Sequence, residues 1–144
     1  MAKATRKRFI ATKTIDIDFP NGAKPHDPIF SGSDNVHKRG HIWLTGYDDG
    51  DLQISFRLVK ARYRFAANVA GDGASALFIS PDPTKITQFD PSNGVFEPPT
   101  LSSDDTLLEF IVHKSDANKY FYILNIIDST AHTFSLKDPI IVNR

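Results

Sequence analysis

The chain has 144 residues, 40% hydrophobic, 11% aromatic and 24% charged, with 17 basic side chains balancing 17 acidic ones. One domain of this size buries roughly 70% of its unfolded surface and needs no metal or disulfide staple. The lack of cysteine excludes disulfides, thiolate metal sites and a cysteine nucleophile, and zero net charge argues against a dedicated nucleic-acid binder, which carries a broad basic face.

Residues 1–8 hold Lys3, Arg6, Lys7 and Arg8 and read as a flexible basic arm ahead of a single domain over 9–144. No apolar stretch follows that charged start, because Thr12, Lys13, Thr14 and Asp16 intervene. No segment approaches the ~20 apolar residues of a membrane span, so the expectation is a soluble, cytoplasmic protein. Ile15, Ile17 and Phe19 alternate with Thr14, Asp16 and Asp18, which predicts a strand from Phe9 to Phe19 ended by Pro20-Asn21-Gly22. Asp27-Pro28-Ile29-Phe30 reads as a brief edge strand, where proline is tolerated. His41 to Thr45 is the next strand, and Asp48-Asp49-Gly50-Asp51 supplies a turn.

From Leu52 the alternation is clean. Leu52, Ile54, Phe56 and Leu58 take one parity and Gln53, Ser55 and Arg57 the other; beyond Leu58 the apolar parity moves to Val59, Ala61, Tyr63 and Phe65. A two-residue repeat changes sides only through an extra residue or a corner. The reading is a bulge or bend near Leu58-Val59 that lets one long strand serve two sheets or go round a barrel corner. Lys60, Arg62 and Arg64 then form a row at intervals of about 7 Å on one strand face, the first candidate for a binding surface.

Gly71-Asp72-Gly73 reads as a turn and Ala74 to Ser80 as a strand. Pro81 to Thr100 carries five prolines and is expected to pack across one end of the domain through Ile86, Phe89, Val95 and Phe96. Thr106 to His113 is a strand and Ser115 to Asn118 a turn. Tyr120 to Asp128 and Thr133 to Asn143, joined by Ser129-Thr130-Ala131-His132, make a closing hairpin, with Phe134, Leu136, Ile140 and Val142 on its dry face. Asp138-Pro139 breaks the second strand as a structural feature. Asp138 falls on the apolar parity and must accept hydrogen bonds to be tolerated there, so Asp138→Ala is expected to cost more than ~1 kcal/mol while Asp104→Ala is near neutral.

Seven or eight short strands spaced by turn signals describe an all-β domain, a single antiparallel β-sandwich of immunoglobulin-like or jelly-roll-like topology. The chemistry-bearing candidates are thin. His37 and His41 have the spacing of helical zinc sites, but Gly40 argues against a helix, and the reading is no metal and no cofactor. Glu109 and His113 would stand about 13 Å apart on one strand face, too far for a direct acid/base dyad. Trp43 and Tyr47 flank an aspartate turn in the manner of a sugar-stacking site and are the second binding candidate.

Tyr120-x-Tyr122 followed by Asp138-Pro139-x-Ile141-x-Asn143 resembles the C-terminal signature of small uncharacterised bacterial β-sandwich proteins, a likeness covering about a sixth of the chain. More distantly the chain is similar to bacterial inclusion-body proteins, which also place an aromatic strand before an Asp-Pro strand. The resemblance implies a bacterial sandwich and carries over no catalytic residue. With apolar residues on both parities of Tyr120 to Ile127, the expectation is a protein that is not an enzyme and acts by contact, self-associating as a homo-oligomer or docking on a protein partner. The alternative is a ligand-binding module for a glycan or an anion.

Overall fold

A computed structural model describes residues 10–19, 28–32, 37, 39–43, 51–67, 71–91, 95–113, 119–128, 132–136 and 140–142. The basic arm at residues 1–8, Tyr47, Asp138 and Pro139 lie outside that set, and at Trp43 only the backbone is described. Among the described residues there is no α-helix; the chain forms eleven strand segments and one 3-10 turn, Gly73–Ser75. The alternating segments become β1 (Ile10–Asp18), β2 (Ile29–Ser31), β3 (Ile42–Trp43), β4 (Asp51–Leu58), β5 (Tyr63–Phe65) and β6 (Leu77–Ser80). They continue as β7 (Thr100–Leu101), β8 (Leu107–His113), β9 (Lys119–Asp128), β10 (Thr133–Leu136) and β11 (Ile140–Val142).

The strands make two sheets. Sheet A runs β2-β1-β4-β8-β7, and sheet B is built on β9, with β10 and β11 along one edge, β5 and β6 along the other, and β3 beyond β11. Ile15, Ile17, Ile54, Phe56 and Phe110 from sheet A and Leu77, Tyr122, Leu124 and Ile126 from sheet B belong to one buried cluster. The Phe56 and Tyr122 rings, 5.6 Å apart, meet between the two sheets.

The expected antiparallel sandwich needs a correction. β1 runs parallel to β4 over eight residue pairs, from Ile10 opposite Asp51 to Ile17 opposite Leu58, and β3 runs parallel to β11. A parallel pair requires a long crossover, and residues 19–50, which pass through β2 and β3, supply it. Parity identifies a strand's buried face but carries no information on its direction.

The chain changes sheets where the parity switch placed the change. β4 ends at Leu58 in sheet A and β5 begins at Tyr63 in sheet B. The Val59 N–H still donates to Ile17 O at 3.2 Å, and the Tyr63 N–H closes a turn on Lys60 O at 3.1 Å. The device is therefore a four-residue turn, not a bulge in a continuous strand.

A second parity change lies at the end of the chain, and here the sequence reading is corrected. Leu136 stands opposite Leu124 but Ile140 stands opposite Phe121, so four steps on one strand answer three on the other. One extra residue turns the strand over, and Ile141, not Ile140 and Val142, takes the register of buried Tyr120 and is itself fully buried.

The described part of the proline-rich stretch packs on the core along strand edges. Val95 and Phe96 are buried, and the Glu97 N–H donates to Ile111 O and the His113 N–H to Val95 O, extending β8's outer edge beyond β7. Phe89 bridges to Ile79 and rests on the core. Gly73 is built for close approach: a Cβ there would sit 3.0 Å from Pro99 Cβ, on the edge formed where the Gly73 N–H donates to Pro99 O.

Ser102 to Thr106 forms the turn into β8, and Asp104 organises it. Its Oδ1 accepts from Thr106 Oγ1 at 2.7 Å, Ser102 Oγ at 2.8 Å and the Thr106 N–H at 3.2 Å. These donors, the Thr106 hydroxyl first, hold the Asp104 carboxyl below its ordinary value. The expectation of a near-neutral Asp104→Ala is revised accordingly. A carboxyl whose folded pKa is depressed contributes stability above its unfolded value of about 3.9 and loses that contribution as pH falls through the folded value. Asp104→Ala should lower the melting temperature at pH 7, with the gap closing as pH drops below about 4. Thermal melts of both proteins across that range check it, and equal melting temperatures at neutral pH would discard the idea.

Candidate functional site

The basic row does not assemble. Lys60 and Arg62 lie in the turn between β4 and β5, and only Arg64 stands on a strand. Lys60 Nζ is 3.3 Å from Asp18 Oδ1, and Arg62 lies over the ring of Tyr63, 5.3 Å from its centroid. Arg57, near the end of β4, is a bidentate partner of Asp16, with Nε to Oδ1 at 2.8 Å and Nη2 to Oδ2 at 3.0 Å. That carboxylate raises the Arg57 pKa. Arg64 remains exposed beside Ile127 on the outer side of sheet B.

The histidines separate as well. His37 and His41 face each other across a tight turn, the His37 N–H donating to His41 O and the Gly40 N–H to His37 O, with Gly40 at φ 94°. Among the described residues no three histidine, aspartate or glutamate side chains converge as a metal site would require. His113 and Glu109 each take a different partner: His113 Nε2 lies 2.7 Å from Glu97 Oε2, whereas Glu109 Oε2 accepts from Gln53 Nε2 at 2.8 Å and Ser55 Oγ at 3.0 Å. Ser55 is therefore 2% exposed although it points away from the core. Glu97, Glu109, Gln53, Pro98 and Thr100 line an open cleft of about 160 Å³ on this outer face. The separate residue types were visible in the sequence, but their pairing depends on β4 lying beside β8 with Ser55 opposite Glu109.

The two outer faces differ in chemistry. On sheet A, Thr12, Thr14, Asp16, Gln53, Ser55, Arg57, Glu109 and His113 give a polar, hydrogen-bonded surface. On sheet B, β9 turns Phe121, Ile123 and Ile127 outward, each half-buried, with Phe78 of β6 opposite Ile123. Asn125 interrupts that strip with its amide already engaged: Oδ1 accepts from Ser135 Oγ at 2.6 Å and Nδ2 donates to Ser75 O at 3.0 Å. Lys119 lies over the Phe121 ring, 5.6 Å from its centroid, at one end of the strip, and Arg64 marks the other. Tyr122 on the inner face is fully buried, donates its hydroxyl to Gly40 O, and has its pKa pushed well up by burial. Among the described residues no helix is long and apolar enough to cross a membrane. Compared with known proteins, the chain matches no family model and no curated sequence.

Proposed function

We propose that the protein acts by contact rather than by catalysis, as a β-sandwich whose sheet B meets another protein surface, a second copy included. One observation carries the reading: β9 is apolar on both faces, and the outward set, Phe121, Ile123 and Ile127 with Phe78 beside them, is only half-buried. A strand with two dry faces in a two-layer domain favours a third layer over its outer side. The alternative of an anion at Lys60, Arg62 and Arg64 loses the regular spacing that motivated it, since the first two lie in a turn and already have partners, whereas the glycan alternative at Trp43 and Tyr47 falls outside the described side chains.

Static light scattering over a wide concentration range tests the contact reading. The native mass should rise with concentration. Ile123→Asp should hold the mass at that of one chain while the variant still unfolds cooperatively, because this side chain points away from the core. A native protein that keeps the mass of a single chain at the highest concentration removes self-association.

A further inference from the structure

Resting on that contact reading, we propose that association is heterologous: the outer face of sheet B on one copy stacks against the outer face of sheet A on the next, so that assembly is open-ended. The argument is charge. Sheet B presents Arg64 at one end of its apolar strip and Lys119 at the other, and its described strands carry no carboxylate on that face. Ile127, which Arg64 faces, lies eight steps along β9 from Lys119, a span of about 27 Å at strand rise. If two such faces were laid together about a two-fold axis, cation would meet cation whichever way the strips ran. Like charges set opposite one another disfavour that pairing.

Sheet A has the opposite balance. Among the described residues four carboxylates, Asp16, Asp18, Glu97 and Glu109, stand on or beside its outer face against two cations, Arg57 and Lys60. Two A faces together would therefore set carboxylate against carboxylate. Apolar groups accompany these charges: Leu107 and Ile111 alternate with Glu109 on β8, and Ile29 and Val59, each 43% exposed, flank Asp18. Of the three ways to bring outer faces together, A on B alone sets opposite signs against each other while covering apolar groups on both sides. A head-to-tail contact leaves one A face and one B face free after every addition and does not close unless its rotation makes a ring.

Sedimentation velocity on the native protein, on Arg64→Glu/Lys119→Glu, and on native protein with a trace of that variant tests the proposal. Both substituted residues are exposed, and an unchanged thermal melt verifies the variant's fold. The native protein should form a ladder that grows past roughly twofold the single-chain mass without a plateau, and salt should shorten it by screening the charges. The variant should stay monomeric, yet a trace of it should shorten native ladders, because its intact A face still caps a native B face. A plateau at twice the monomer mass would overturn the open-ended stack while leaving the contact reading in place. Ladders unaffected by the charge reversal would refute the A-on-B match. A native protein that stays monomeric throughout would overturn the stack and remove self-association with it, while contact with a different protein would stand.

Discussion

Replacing Phe56 with alanine should cost about 3–5 kcal/mol of folding free energy, a large share of the 5–15 kcal/mol that holds a typical domain together. Phe56 is fully buried in the middle of β4, with ring centroids of Phe30 at 6.4 Å, Phe110 at 6.1 Å and Tyr122 at 5.6 Å. Phe30 and Phe110 belong to the same sheet and Tyr122 to the other, so the truncation removes packing within one layer and between the two. Those neighbours sit on paired strands and cannot collapse into the space, which leaves a cavity in addition to the lost transfer energy. Guanidinium unfolding at equilibrium measures the loss. A change below about 1 kcal/mol would mean that the two sheets do not meet at this ring.

Tyr122→Phe should cost about 1–3 kcal/mol, although it deletes a single oxygen. The ring keeps its packing, but Gly40 O loses its donor in a place closed to water. The loss also has a pH signature. Burial raises the folded pKa of the phenol, so its contribution is fully present below the unfolded value of about 10 and is lost as pH rises through the folded value. The gap between native and variant should be constant from pH 6 to pH 9 (roughly) and narrow above about 10. Urea titrations of both proteins across that range would show it, and a gap that varied between pH 6 and 9 (about) would point to a different titrating group.

What the sequence revealed and concealed follows from the physics of the pleat. Alternation places side chains on faces, so the strand from Leu52 to Leu58 and the change of sides after it were legible in residue order alone. Direction was not legible, because parallel and antiparallel neighbours bury the same parity, and so the β1–β4 pairing was missed. Lys13 shows the limit of alternation itself: it holds the inward parity with Ile15 and Ile17 and is 6% exposed. The second parity change, across Asp138-Pro139, was also missed, since reading straight through the break put Ile140 on the dry side. The Ser55-Gln53-Glu109 group was hidden for another reason. Its members are far apart in sequence, and only the strand order brings them together. Asp104 was in principle legible, because a flanking Ser102 and Thr106 are the donors that a turn aspartate recruits.

The dependence of sheet B on β9 has a consequence for biosynthesis. β5 and β6 do not pair with each other; both bond to β9, as do β10 and β11. At about 5–20 residues per second, the ribosome takes roughly 3–10 s to go from the last residue of β5 to the first of β9. Until β9 emerges, Tyr63, Phe65 and Leu77 lack the strand they pair with, and Ile79 has only its bridge to Phe89. The nascent polypeptide thus carries the oily edge of that layer without its central partner until the ribbon that unites it emerges.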